Sequence, residues 1–284
     1  MTIAVTGTSG HLGRLVVEQL LERGVPAQDI VATARTTSAV ADLADRGVVV
    51  RRADYADSDS LDAALTGVTK LLLVSSSEIG QRLPQHRNVL DAARRAGVSL
   101  VAYTSVLRAD TSDLALAAEH KATEEALVES GLPHVLLRNG WYTENYTAQA
   151  PVALEHGAVL GAAGEGKVSA ATRADYAAAA AAVLVEDDHA GQVYELGGEA
   201  FTLAEYAAEL SAQAGTSVAY QDLSEEAYAA ALGAAGLPQA YAELLASCDT
   251  SLKHGALFTD SDDLERLIGR SPTTLTEAIK SALG

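Results

Sequence analysis

Ile3-Ala4-Val5-Thr6-Gly7-Thr8-Ser9-Gly10-His11-Leu12-Gly13 opens the chain, followed by Leu15-Val16-Val17 and Leu20-Leu21 at helical spacing. A short β-branched run, a glycine turn and an amphipathic helix form a unit that can hold a dinucleotide pyrophosphate. Backbone N–H groups and the positive end of the helix supply the binding. Gly7 permits a sharp turn, Gly10 lets backbone approach a phosphate, and Gly13 lets the helix lie close to the strand. Thr8, Ser9, His11 and Leu12 fill the turn and enter the candidate site with the three glycines.

Working outward, strands are expected at Ile3–Thr6, Ile30–Ala34, Val48–Val50, Lys70–Val74, Leu100–Thr104 and His134–Arg138. Amphipathic segments near 11–23, 37–46, 58–66, 81–96 and 113–130 separate them. Alternation of this kind means βαβ units and a parallel sheet covered on both faces. The expected fold is therefore α/β, a Rossmann-type doubly wound parallel sheet with a smaller helix-rich C-terminal lobe. The rhythm changes after Asn139-Gly140, so residues 1–140 read as the dinucleotide-binding domain. Residues 141–284 read as a smaller substrate lobe, partly interleaved with the first. Within that lobe Pro151 marks a helical region, and Val193–Leu196 and Val218–Tyr220 are candidate strands. Thr172-x-x-Asp175, Thr202-x-x-Glu205 and Thr274-x-x-Glu277 have the form of capping boxes.

Composition narrows the function classes. With 20 Lys and Arg against 38 Asp and Glu, the net charge of -18 repels nucleic-acid phosphates and anionic membranes. The longest apolar run, Tyr176–Val185, is too short to span a bilayer. Strand-forming residues begin at Thr2, so no targeting segment is expected. Cys248 is the single cysteine, which fits a reducing, cytoplasmic setting. No metal-ligand spacing, hydrolase elbow or phosphate loop occurs, and no metal is expected. A homodimer is compatible with these numbers.

Ligands of open parallel sheets bind beyond the carboxyl ends of the strands. Those ends carry Gly7–Gly13, Arg35, Asp54-Tyr55, Ser75-Ser76-Ser77-Glu78, Thr104-Ser105 and Asn139-Gly140-Trp141-Tyr142. Arg35 is the most telling of them. An acid at the end of the second strand would accept the ribose 2′-hydroxyl of NAD, whereas a guanidinium suits the 2′-phosphate of NADPH. None of the ten tyrosines has a lysine four residues later, and Ala117 stands four before Lys121. The Tyr-x-x-x-Lys acid of ordinary short-chain dehydrogenases is therefore missing. Lys121 is a candidate substitute, although His120, Lys121 and Glu124 together read as a solvated helix face. Trp141 reads either as an aromatic wall for a flat acceptor or as a plug between lobes.

Three long strings, Ser75–Arg82, Pro84–Val89 and Leu137–Tyr146, together with Ala170–Tyr176, resemble the NmrA-like group of atypical short-chain dehydrogenase/reductases. The resemblance covers essentially the whole chain. It implies that Gly7–Leu12 hold the pyrophosphate, Arg35 the 2′-phosphate, and Ser75, Ser76 and Ser77 the length of the cofactor. It also implies that Asn139, Gly140, Trp141, Tyr142, Thr143 and Glu144 flank the nicotinamide, with Arg173 nearby. The implied activity is direct hydride transfer from NADPH to a quinone-like small-molecule electrophile. A hydroquinone anion is an aromatic phenolate that needs no positioned acid, which accommodates the missing Tyr-Lys pair. Asn145 and Tyr146 are candidates to steer a quinone oxygen. Lys121 stands where the group is expected to carry an uncharged residue, which keeps an imine, enone or cationic dye open as the electrophile. A second class of function is a non-enzymatic NADP(H) sensor.

Overall fold

The computed structural model describes residues 1–284. In chain order its elements are β1 (Ile3–Val5), α1 (His11–Glu22), β2 (Ile30–Ala34), α2 (Ala41–Asp45), β3 (Val49–Arg52), α3 (Ser58–Leu65), β4 (Lys70–Leu73), α4 (Arg82–Ala96), β5 (Leu100–Val106), α5 (Ala117–Ser130) and β6 (His134–Asn139). The second half carries α6 (Glu144–Thr147), α7 (Ala150–His156), β7 (Ala158–Gly161), α8 (Arg173–Val185), β8 (Val193–Leu196), α9 (Leu203–Ala214), β9 (Ala219–Asp222), α10 (Glu225–Ala234), α11 (Gln239–Lys253), α12 (Asp263–Ile268) and α13 (Leu275–Leu283).

Seven strands form one parallel sheet in the order β3-β2-β1-β4-β5-β6-β8. The order reverses between β1 and β4, so a crevice opens beyond the carboxyl end of β1. Side chains alternate across the sheet, and both faces are apolar because both are covered. On one face Ile3, Val5, Ala32, Leu72, Ala102 and Leu137 pack under α1, α8 and α12. On the other, Ala4, Val31, Leu71, Leu73, Val101 and Tyr103 pack under α3, α4 and α5. Six consecutive alanines, Ala177–Ala182, let α8 lie close to the sheet and to α1. A third core, built on Phe201, Tyr206, Leu210, Leu252 and Leu257, holds the C-terminal elements together. No helix is long and apolar enough to cross a membrane.

Several local expectations are corrected. The segment 37–46 is a 3-10 turn, Thr37–Val40, followed by the short α2. Helix α5 begins at Ala117 rather than 113, and in the loop before it Arg108 donates to the carbonyls of Gly255 and Phe258. Strand β9 starts one residue late and pairs in a separate two-stranded sheet with β7, which was not anticipated. Thr202 and Thr274 form full capping boxes. Thr172 caps α8 by accepting from the Asp175 N–H, but the box is not reciprocal. The Asp175 carboxylate accepts from the Thr172 hydroxyl at 2.7 Å rather than from the Thr172 N–H, and also meets Arg270 at 2.7 Å and the Thr273 N–H at 3.0 Å.

Candidate active site

The crevice floor is the turn between β1 and α1. Gly7 sits at φ +63, which only glycine adopts without strain. A Cβ on Gly13 would lie 2.6 Å from the Gly7 carbonyl oxygen and 2.8 Å from that of Thr6. Gly13 is thus required by helix–strand contact. Gly10 is different: a Cβ there meets only the Gly7 oxygen, at 3.3 Å, and the residue is exposed. It caps α1 without a side-chain hydrogen bond, and the first turn holds no acid. The orphan N–H groups and positive end of a twelve-residue helix therefore face open space, which suits an anion. Ser9 and His11 are exposed at the same edge, while Leu12 joins the core. Thr8 is buried, its N–H and hydroxyl both donating to the Thr33 carbonyl at 3.0 Å.

Residues after β3, β4 and β5 brace this floor. The Tyr55 hydroxyl oxygen lies 2.5 Å from Thr6 Oγ1 and 2.8 Å from the Val74 carbonyl oxygen, within hydrogen-bond reach of both, tying three strand ends together. Burial pushes that phenol upward in pKa, so it stays protonated. Asp54 forms its own turn, accepting from the Ala56 N–H at 3.0 Å. The Ser75 N–H donates to Thr104 Oγ1 at 2.9 Å, and the Ser76 N–H to His86 Nε2 at 3.0 Å, while Ser77 is exposed. Burial pushes the His86 and His120 imidazoles down to about 3, so both are neutral. Arg82, Gln85 and His86 thus support the β4 loop from one face of α4. Their i, i+3, i+4 spacing on one face of α4 is the sequence signal for this role.

At the β2 end Arg35 is exposed, and its Nη1 lies 2.7 Å from Glu78 Oε1. At the β6 end the string from Asn139 converges with Arg173. Asn139 is buried, and its Oδ1 has no hydrogen-bond partner. Gly140 is hemmed in by Ser169 and Leu196, its added Cβ meeting the Ser169 oxygen at 2.7 Å. Trp141 packs against the C-terminal core, while Tyr142 packs toward the sheet core. Thr143 is buried and donates its N–H to the Ala171 carbonyl at 3.0 Å. The Glu144 carboxylate accepts from the Arg173 N–H at 2.9 Å, capping α8. The Arg173 guanidinium lies 4.3 Å from the Tyr142 ring centroid and donates to Asn145 Oδ1 at 3.0 Å. Tyr146 turns away, its ring packed on Phe201 and Tyr206.

The α5 face differs from its expectation. His120 and Glu124 are buried, not solvated: the Tyr103 hydroxyl meets His120 Nδ1 at 2.8 Å, and Glu124 holds Arg138 through contacts of 2.7 and 3.0 Å. Only Lys121 is exposed, and its Nζ donates to the Asp110 carbonyl at 3.3 Å.

One sheet edge therefore presents an uncapped helix N-terminus, an exposed guanidinium and a buried, unpartnered amide oxygen. This set fits an elongated ligand with two anionic groups and a polar head. Comparison with known proteins agrees. The chain is 56% identical over 278 residues to quinone oxidoreductase 2 of Escherichia coli, covering 98% of this chain and 97% of the relative. The crystal structure of the NADPH-dependent quinone oxidoreductase of that organism, complexed with NADPH, superposes with a TM-score of 0.97 at 55% identity and full coverage of both chains. Triphenylmethane reductase of Citrobacter sp., complexed with NADP(H), superposes at 0.94 with 40% identity, covering 99% of this chain and all of that one. The model of the NmrA-like family matches residues 1–280, and the chain belongs to that family.

Proposed function

We propose that this protein is an NADPH-dependent oxidoreductase that transfers hydride directly to a quinone-like acceptor. The observation that carries the reading is near full-length identity to a quinone oxidoreductase, 56% over 98% of the chain. When bound, NADPH supplies the hydride. Backbone groups of Gly7, Thr8, Ser9, Gly10, His11 and Leu12 hold the pyrophosphate, with Gly13 keeping α1 close. Arg35 holds the 2′-phosphate, and Asp54, Ser75, Ser76, Ser77 and Thr104 line the crevice between. Asn139, Gly140, Trp141, Tyr142, Thr143, Glu144 and Arg173 border the nicotinamide end, where the free Asn139 Oδ1 can accept from a carboxamide. Residues 141–284 supply the acceptor side, and the single buried Cys248 supports a cytoplasmic setting.

The proton inventory supports a quinone. Burial keeps the Tyr142 and Tyr146 phenols protonated, but the Tyr146 ring is turned into the C-terminal core against Phe201 and Tyr206, and the Tyr142 ring lies under the Arg173 guanidinium. Lys121 is directed to a backbone carbonyl. A ketone would develop a localised alkoxide and require a positioned donor. A quinone places the charge in an aromatic ring, and solvent can protonate it.

The test is NADPH oxidation by purified protein against quinones, unactivated ketones and enones, with deuteride on the nicotinamide carbon. Quinones should turn over far faster than ketones, with a primary isotope effect where hydride transfer limits turnover. Rapid ketone reduction abolished by Lys121→Ala would overturn the reading. Tight NADPH binding without turnover of any acceptor would make the protein a sensor.

A further inference from the structure

We propose that Glu78 is a specificity-determining residue that competes with the cofactor's 2′-phosphate for Arg35. The proposal rests on the NADPH reading above. Arg35 follows β2 and Glu78 follows β4, the two strands that flank β1. Their 2.7 Å ion pair therefore spans the crevice above the glycine turn, at the end where an adenosine ribose would lie.

The two partners are unequally held. Glu78 is fixed by a closed set of hydrogen bonds. Gln85 Nε2 donates to Glu78 Oε2 at 2.7 Å, Ser76 Oγ donates to Gln85 Oε1 at 2.5 Å, and the Glu78 N–H donates to Ser76 Oγ at 3.2 Å. Gln85 is itself buried, and Arg82 Nε holds the Ser76 carbonyl at 2.8 Å. Arg35 has a 68% exposed side chain and no hydrogen bond other than that to Glu78. A 2′-phosphate must therefore draw the arginine away from a carboxylate that stays in place, and must then sit near that carboxylate's charge. A ribose 2′-hydroxyl bears no such charge. Glu78 thus lowers affinity for NADPH selectively and narrows its advantage over NADH.

Glu78→Gln keeps the side-chain length and an oxygen to accept from Gln85, while removing the charge. Calorimetry at fixed low salt should read an NADPH dissociation constant about three- to tenfold smaller, the scale of an exposed ion pair plus a nearby like charge. The NADH constant should stay within about twofold, so the ratio of the two rises; a role confined to loop structure would move both together. In an Arg35→Ala background the same substitution should gain less than in the unmodified protein, because only the like charge beside the phosphate is relieved and no arginine is released. Weaker NADPH binding in Glu78→Gln would overturn the proposal by making Glu78 an aid to Arg35. An unchanged constant, or equal gains for both cofactors, would overturn it as well. Absence of NADPH binding in the unmodified protein would instead sink the function proposed above.

Discussion

Gly10→Val separates binding from folding at the turn after β1. In the ligand-free fold an added Cβ at residue 10 meets only the Gly7 oxygen at 3.3 Å, and the backbone at φ −89, ψ 166 suits a β-branched residue. The folding cost is then confined to a poorer N-cap, about 1 kcal/mol, which lowers Tm by roughly 2–4 °C. Bound cofactor is another matter. Charge-assisted hydrogen bonds are worth about 1.5–3 kcal/mol each, so preventing two of them weakens NADPH by roughly a hundred- to ten-thousandfold. Thermal melting reads the first quantity; calorimetry, with quenching of the single Trp141, reads the second. Gly13→Ala gives the opposite pattern of cause. There the new methyl meets backbone at 2.6 and 2.8 Å, so helix α1 must move and stability falls by about 1–3 kcal/mol. A folded Gly10→Val protein that binds NADPH normally would refute the assignment of the pyrophosphate to this turn.

Arg35→Ala should weaken NADPH by roughly ten- to a hundredfold and NADH little, since a phosphate contact by an exposed guanidinium is worth about 1.5–3 kcal/mol; equal affinities in the unmodified protein would remove the residue from the site. Lys121→Ala should leave quinone turnover within about twofold, as the ammonium reaches only the Asp110 carbonyl, and a large loss of kcat would require a catalytic lysine. Asp249 tests the C-terminal core through pH. Burial raises its carboxyl from 3.8 to about 6, so the folded chain holds a proton that the unfolded chain has released between those values. Stability therefore falls as pH rises through that window, and Asp249→Asn should add on the order of 2 kcal/mol at pH 7 and nothing below pH 4, read by denaturant melts.

The parallel sheet was legible because its strands are buried on both faces and read as continuous apolar runs between amphipathic segments. The two-stranded sheet was half legible. Val218–Tyr220 marks β9, whereas β7 is a four-residue run with Leu160 exposed and Gly161 at its end, and only Val159 packs inward on the third core, too little for a periodicity to show. Strand ends led directly to the crevice, because open α/β sheets bind at one edge. The supporting residues were harder to see, since their partners are far away in the chain. Asp175 has the spacing of a local cap and does accept from the Thr172 hydroxyl, yet its carboxylate also holds Arg270 and the Thr273 N–H, nearly a hundred residues later. Glu124 and His120 occupy a helix of polar residues that reads as solvated, and only the neighbouring Arg138 and Tyr103 of the sheet explain their burial.

Strand β8 and helix α8 have a consequence for how such a protein can diversify. Both follow Gly140 in the chain, yet β8 completes the large sheet beside β6, and α8 covers the face that α1 leaves open. A fragment ending at Gly140 would bare an apolar sheet face and the outer edge of β6, an invitation to edge-to-edge aggregation. The region after Gly140 is therefore no detachable cassette, and grafting it wholesale onto another dinucleotide-binding unit would tear the sheet. New acceptors are reached by changing loops that leave the sheet and return to it, such as 140–172 and 197–262, while the two returning elements keep their register.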